Sequence, residues 1–200
     1  MIKTVFFDLG NVIVFFSHPK MLSQISRCTG LTPEQLQFLL IEEKLRDRYE
    51  TGEITNEALY YFFQNASPRT FTPEELFRAA SDIFTPNTAI FPFIQAIKES
   101  GQRLILLSNT SPAHYQFVSQ NYPILSLFDD QILSYKVGAS KPHPSIYKAA
   151  LNIAHCSPSE CFYTDDMPEF IAAARTHGID AEQYTDPASL EQHLRARLLI

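Results

Sequence analysis

Four groups of residues along the chain have side chains that can do chemistry together: Asp8, Ser108-Asn109, Lys141 and Asp165-Asp166. Asp8 closes the apolar run IKTVFF (2–7), Ser108 closes RLILLS (103–108), and the two aspartates follow CFYT (161–164). Lys141 stands in SKPHP, at the entrance to a helix. Three carboxylates brought to one spot repel unless a cation joins them. A few hard oxygen ligands suit Mg²⁺, which keeps several waters and shares its shell with a phosphate. Asp8 then has the makings of a nucleophile that attacks phosphorus and becomes an aspartyl-phosphate. Ser108, nearby amides and Lys141 would hold the non-bridging oxygens, where transition-state charge must be stabilised.

Such a site needs a scaffold that gathers strand ends. Short apolar runs separated by helical segments predict parallel strands covered on both faces. They lie at 2–7, 103–108, 131–134 and 161–164, with a further edge strand at 180–184. The intervening helices have readable ends: 87–100 closes on Gly101, 112–121 opens on Pro112, 144–152 follows SKPHP, and 167–177 closes on Gly178. Asp186 and Pro187 are placed as N-cap and first residue of a last helix. This order predicts an α/β fold, an open doubly wound Rossmann-like sheet whose ligands sit at the C-terminal strand ends. Residues 15–86 break the rhythm with amphipathic helices and no convincing strand. TPEQ (32–35) and TPEE (72–75) are capping boxes with proline at N1, and TGEIT (51–55) separates two helices. The expected division is a core of 1–14 and 87–200, with 15–86 as an inserted helical cap over the end of the first strand.

The ordered set, Asp8 in DLGNVIV, Ser108-Asn109 in LLSNT, Lys141 in KPHPSIY and Asp165-Asp166 in FYTDD, resembles the four motifs of the haloacid dehalogenase (HAD) superfamily. The helical insertion after the first motif is similar to members with a C1-type cap. Within the superfamily the motifs look most like the glucose-1-phosphate phosphatase-like branch, with the phosphatase domain of soluble epoxide hydrolase a more distant relative. The resemblance implies Asp8 as nucleophile and metal ligand, with the Gly10 carbonyl and Asp166 as further Mg²⁺ ligands and Asp165 beside them. It also implies Ser108, Asn109 and Lys141 as phosphate-binding groups.

Two positions depart from that pattern. The second aspartate of the usual Asp-x-Asp, which protonates the leaving group and activates water, is Gly10 here. Beyond the acidic pair, where the family often has an asparagine, stands MPEF (167–170). A positioned acid–base is worth about 10²–10⁴-fold, or about 3–5 kcal/mol. Its loss predicts a preference for activated esters, such as sugar 1-phosphates, over primary alkyl phosphates. His18 and His143, in segments expected near the site, are candidate replacements. Arg46, Arg48 and Tyr49 are candidate cap contacts to substrate.

Composition frames the rest. Net charge is −6 with no basic run, so neither nucleic acid nor an anionic membrane is an expected partner. No apolar run approaches the roughly 20 residues of a membrane span. The early Asp8 and the three scattered cysteines (Cys28, Cys156, Cys161) fit a reducing cytoplasm. The expected partner is a small phosphorylated substrate, with a monomer or homodimer as the assembly. Two other functions compete. A metal-independent haloacid dehalogenase also has a non-acid two residues after its nucleophile, but lacks the acidic pair. A HAD-fold binding or regulatory protein, catalytically weak or inactive, would explain Gly10 and MPEF.

Overall fold

The apolar runs align side by side in the structure, a computed structural model that describes residues 1–200. β1 (Thr4–Phe7) is fully buried and ends one residue before Asp8. A tight turn leads into β2 (Val14–Phe16). Five helices follow: α1 (His18–Thr29), α2 (Pro33–Gln37), α3 (Leu45–Glu50), α4 (Asn56–Ala66) and α5 (Pro73–Ser81). A π-helical turn, Phe38–Glu42, continues α2. The capping boxes form as expected: Thr32 caps the Gln35 amide and Thr72 the Glu75 amide, and each N3 side chain reaches back to its cap. β3 (Phe84–Pro86) returns the chain to the sheet, and a 3₁₀ turn opens α6 (Phe91–Glu99).

The remainder alternates. β4 (Arg103–Ser108), α7 (Pro112–Asn121), β5 (Asp130–Leu133), α8 (Ser134–Val137) and α9 (Pro144–Ile153) precede β6 (Cys161–Asp165). Then come α10 (Pro168–Thr176), β7 (Asp180–Gln183) and α11 (Pro187–Ala196), with Asp186 capping α11 as expected. The strands form a parallel sheet in the order β5-β4-β1-β6-β7, with β7 at an edge. Phe7 pairs with Leu106 on one side and Thr164 on the other. Because β1 is central and the chain leaves it first for β4 and later for β6, the C-terminal ends of these three strands frame the switch point.

Strand alternation divides the core into two layers. Phe7, Leu106 and Phe162 face α6, α7 and α11 in a cluster that runs on into the helices of the insertion. Phe6, Ile105 and Tyr163 face α9 and α10. No helix is long and apolar enough to cross a membrane.

One expectation needs correcting. The segment 15–86 is not helical throughout: β2 and β3 pair antiparallel, Phe16 opposite Phe84, and tie its two margins together. Each strand has only three residues and one contains Pro86, which cannot donate to a ladder. A pairing this short, between segments so distant in the chain, leaves no local periodicity to read.

Candidate active site

Strand geometry brings the four groups together. The Asp8 amide donates to the Thr164 carbonyl at 3.0 Å, which carries the ladder one residue past β1 and sets the carboxylate beside the end of β6. Lys141, 4% exposed, reaches between them. Its ammonium donates to Asp8 Oδ1 at 2.7 Å, Asp165 Oδ2 at 2.6 Å, the Leu107 carbonyl at 3.0 Å and the Tyr163 hydroxyl at 3.1 Å. The Tyr163 hydroxyl donates in turn to Asp165 Oδ2. The other oxygen of Asp165 accepts the Met167 amide at 2.8 Å.

The lysine is fixed through its own backbone. The Asn109 carboxamide accepts the Lys141 amide at 2.7 Å and donates to the Lys141 carbonyl at 3.0 Å. The Asn109 side chain thereby positions Lys141, leaving the Ser108 hydroxyl, bonded to its neighbour's carbonyl at 3.3 Å, as the polar side chain at the end of β4.

Electrostatics follow from burial. Burial pushes Asp8 up to about 7; Lys141 pulls it down and Asp165 pushes it further up. Burial alone would lower the pKa of Lys141, but Asp165 and Asp8 outweigh it and hold the ammonium above its ordinary value. Asp166 is half-buried and raised mainly by desolvation, while the Asn11 amide opposes the shift through a 3.0 Å bond to its Oδ2.

A divalent cation suits this donor set. Oxygens of Asp8, Asp165 and Asp166 lie within 4.8 Å of one another, and one ammonium does not neutralise three carboxylates. Asp165 has both oxygens engaged by the protein, so Asp8 and Asp166 are the carboxylates with capacity left for a metal.

Above the strand ends is a cavity of about 70 Å³ lined by Gly10, Phe16, His18, Glu50, Ser108 and His114, among others. A second, mainly apolar cavity of about 60 Å³ lies among the helices of the insertion and shares His18, Glu50 and His114 with the first. Phe16 explains much about Gly10. A Cβ at position 10 would stand 2.9 Å from Cε1 of that ring and 3.9 Å from Asp8 Oδ2. An aromatic ring thus packs against the position from which a second acid would extend.

The other expected residues divide. His18 lines both cavities, with burial and the Arg46 charge lowering its pKa. Arg46 and Tyr49 line only the apolar one. Tyr49 is a brace: its hydroxyl accepts the Ala113 amide at 3.2 Å and donates to Asn56 at 2.7 Å. Arg48 and His143 reach neither cavity. Arg48 pairs with Glu53 on an exposed face, and the His143 ring caps α9 by accepting the Ser145 amide.

Several contributors escaped the sequence reading. Tyr163 lies two residues before Asp165 on one strand, so its presence on the same face was readable from alternation. Asn11, whose φ of +54° is one asparagine tolerates, had only proximity to Asp8 as a signal. Glu50 and His114 arrive from helices distant in sequence, with no motif to mark them.

Comparison with known proteins adds three findings. Residues 2–178 match the profile of the haloacid dehalogenase-like hydrolases. A D-ribitol-5-phosphate phosphatase from Bacteroides thetaiotaomicron is 26% identical, with 97% of each chain covered. Two solved structures share the fold. A HAD-like family hydrolase from Porphyromonas gingivalis superposes with a TM-score of 0.82 at 21% identity, covering 98% of both chains. A HAD family enzyme from Bacteroides thetaiotaomicron, complexed with magnesium and inorganic phosphate, gives a TM-score of 0.77 at 23% identity, covering 92% of this chain and 95% of its own.

Proposed function

The chain belongs to the haloacid dehalogenase-like hydrolases, and we propose that it is a Mg²⁺-dependent phosphatase for a small phosphorylated metabolite, acting through an aspartyl-phosphate on Asp8. The observation that carries this reading is the buried cluster in which Lys141 bridges Asp8 and Asp165 while three carboxylates crowd within 4.8 Å. Asp8, the Gly10 carbonyl and Asp166 would hold Mg²⁺, which supplies charge neutralisation for a phosphate dianion approaching a carboxylate. The magnesium and phosphate bound by the Bacteroides structure support that choice.

The chain's own residues divide the work. Lys141 fixes the rotamer of Asp8 through Oδ1, leaving the second oxygen on the side of Gly10. Lys141 and Ser108 hold the non-bridging oxygens. Asp165, Tyr163 and Asn109 keep Lys141 in place. Residues 15–86 act as the cap, joined to the core of 1–14 and 87–200 through the β2–β3 ribbon, and exclude water from the strand ends.

The substrate is a small sugar or polyol monophosphate, with its organic part in the cavity bounded by His18, Glu50 and Ser108. Gly10 favours an activated ester such as an anomeric phosphate. The name of the Bacteroides relative favours a primary polyol phosphate instead. The acidic pair argues against metal-independent dehalogenation.

The test is turnover of p-nitrophenyl phosphate with Mg²⁺ and with chelator, by the wild type and by Asp8→Asn. Metal-dependent hydrolysis abolished by the substitution is the expected result. Silence on every activated phosphate would favour a binding protein, and halide release without metal would favour a dehalogenase.

A further inference from the structure

Gly10 brings no acid beside the nucleophile and the Phe16 ring packs against it, so a replacement acid would come from elsewhere on the cavity wall. Three titratable side chains line that wall: His18, Glu50 and His114. His114 points Nε2 at the Ala80 carbonyl, 3.1 Å away, so its ring proton is already donated. Burial pushes its pKa down to about 4, which makes it a neutral imidazole near pH 7. His18 is lowered by burial and by Arg46, and its ring lies 5.0 Å from the Phe16 ring. Neither imidazole is a ready proton donor.

Glu50 differs on each count. Its carboxyl has no hydrogen-bond partner; the charges of Arg46 and Asp47 on its own helix act on it, and the two histidines line the same cavity. Burial raises its pKa, Arg46 opposes the shift and Asp47 reinforces it. It is also held in place. Tyr49, the preceding residue, is bonded to the Ala113 amide at the start of α7. Gly52, two residues on, has a φ of +74° and packs so closely on the Tyr135 carbonyl that a Cβ would collide with that oxygen. The end of α3 is thus pinned to the core at two points flanking Glu50.

We propose that Glu50, presented by the helical insertion, is the acid–base residue that replaces the side chain missing at Gly10. The inference rests on the phosphatase reading above. As Asp8 attacks phosphorus, the bond from phosphorus to the ester oxygen breaks. The departing electron pair takes the Glu50 proton, leaving an alcohol, an aspartyl-phosphate and a Glu50 carboxylate. That carboxylate then accepts a proton from the water attacking the aspartyl-phosphate, which restores the Asp8 carboxylate, protonates Glu50 again and releases inorganic phosphate. An acid in this position also lets a poor leaving group depart, so primary alkyl esters become accessible despite Gly10.

The experiment measures kcat/KM for a series of substituted phenyl phosphates and one alkyl phosphate, in wild type, Glu50→Gln and Glu50→Asp, all with Mg²⁺. Binding of inorganic phosphate by calorimetry serves as a readout independent of turnover. Glu50→Gln should fall about 100-fold or more on the alkyl ester, stay within about threefold on p-nitrophenyl phosphate, and bind phosphate as the wild type does. Its rates should therefore depend more steeply on the leaving group's pKa, with Glu50→Asp between the two. Parallel dependences in wild type and Glu50→Gln would overturn the assignment, as would a uniform loss accompanied by weakened phosphate binding. Absence of wild-type turnover on every ester would remove the phosphatase reading, and this role with it.

Discussion

The strand ends and the helical insertion are built on opposite principles. At the strand ends the groups around Lys141 are closely partnered: Lys141 makes four bonds, Asp165 has both oxygens bonded, and Asn109 clamps the backbone of Lys141. The cavity within the insertion is lined mostly by apolar side chains, with a few polar groups held at single points. A saturated, buried network resists rearrangement, because each lost partner strands a charge in low dielectric. An apolar shell with isolated polar groups can change its lining at little cost to the network below. The difference separates reaction from selection. In the proposed phosphatase, the strand ends would set which bond is attacked, and the insertion which molecule is admitted.

Lys141→Met should break the first half of that comparison hardest. It leaves Asp8 and Asp165 buried without their cation, a loss of about 3–5 kcal/mol by chemical denaturation, together with loss of turnover. Mg²⁺ should recover part of the lost stability by neutralising the same carboxylates. Gly52→Ala attacks the joint between the two regions. A left-handed residue with a Cβ costs about 1–2 kcal/mol, and the collision with the Tyr135 carbonyl adds to it. KM should rise more than kcat falls, because the pinned end of α3 moves while Asp8 and Lys141 stay in place.

His114 lies at the seam and carries a pH signature. Its pKa is depressed from 6.5 to about 4, so between those values the unfolded chain binds more protons than the folded one. Stability from this group is therefore complete above about pH 6.5 and is lost as pH falls towards 4. The slope is at most about 1.4 kcal/mol per pH unit. Urea denaturation across that window should show the wild type losing stability relative to His114→Gln. The smallest effect belongs to the insertion alone: Thr72→Ala removes the capping box of α5 and should cost about 1 kcal/mol. Turnover of p-nitrophenyl phosphate should not change, and if it did the separation of the two regions would be wrong.

Legibility in the sequence followed the same division. Asp8, Ser108, Lys141 and Asp165-Asp166 were readable because each ends a strand or opens a helix, and the fold gathers such ends at one place. The capping boxes at Thr32 and Thr72 were readable because their chemistry is complete within four residues. β2 and β3 were not, since three-residue strands acquire meaning only when they pair. Arg48 and Tyr49 show the limit for helices. They are adjacent in sequence, yet one faces solvent and pairs with Glu53 while the other is buried as a brace. Which face of a short helix turns inward is decided by distant packing partners. Glu50 was hidden for the same reason, within a charged stretch that looks solvated from end to end.

The most direct measurement is a rapid acid quench during the first turnover of p-nitrophenyl phosphate with Mg²⁺, followed by mass spectrometry of the proteolysed chain. Phosphoryl transfer to Asp8 predicts a phosphate adduct on the peptide carrying that residue, formed as fast as p-nitrophenol is released and absent from Asp8→Asn. Steady turnover with no phosphorylated peptide, or with the adduct on another residue, would contradict the role assigned to Asp8.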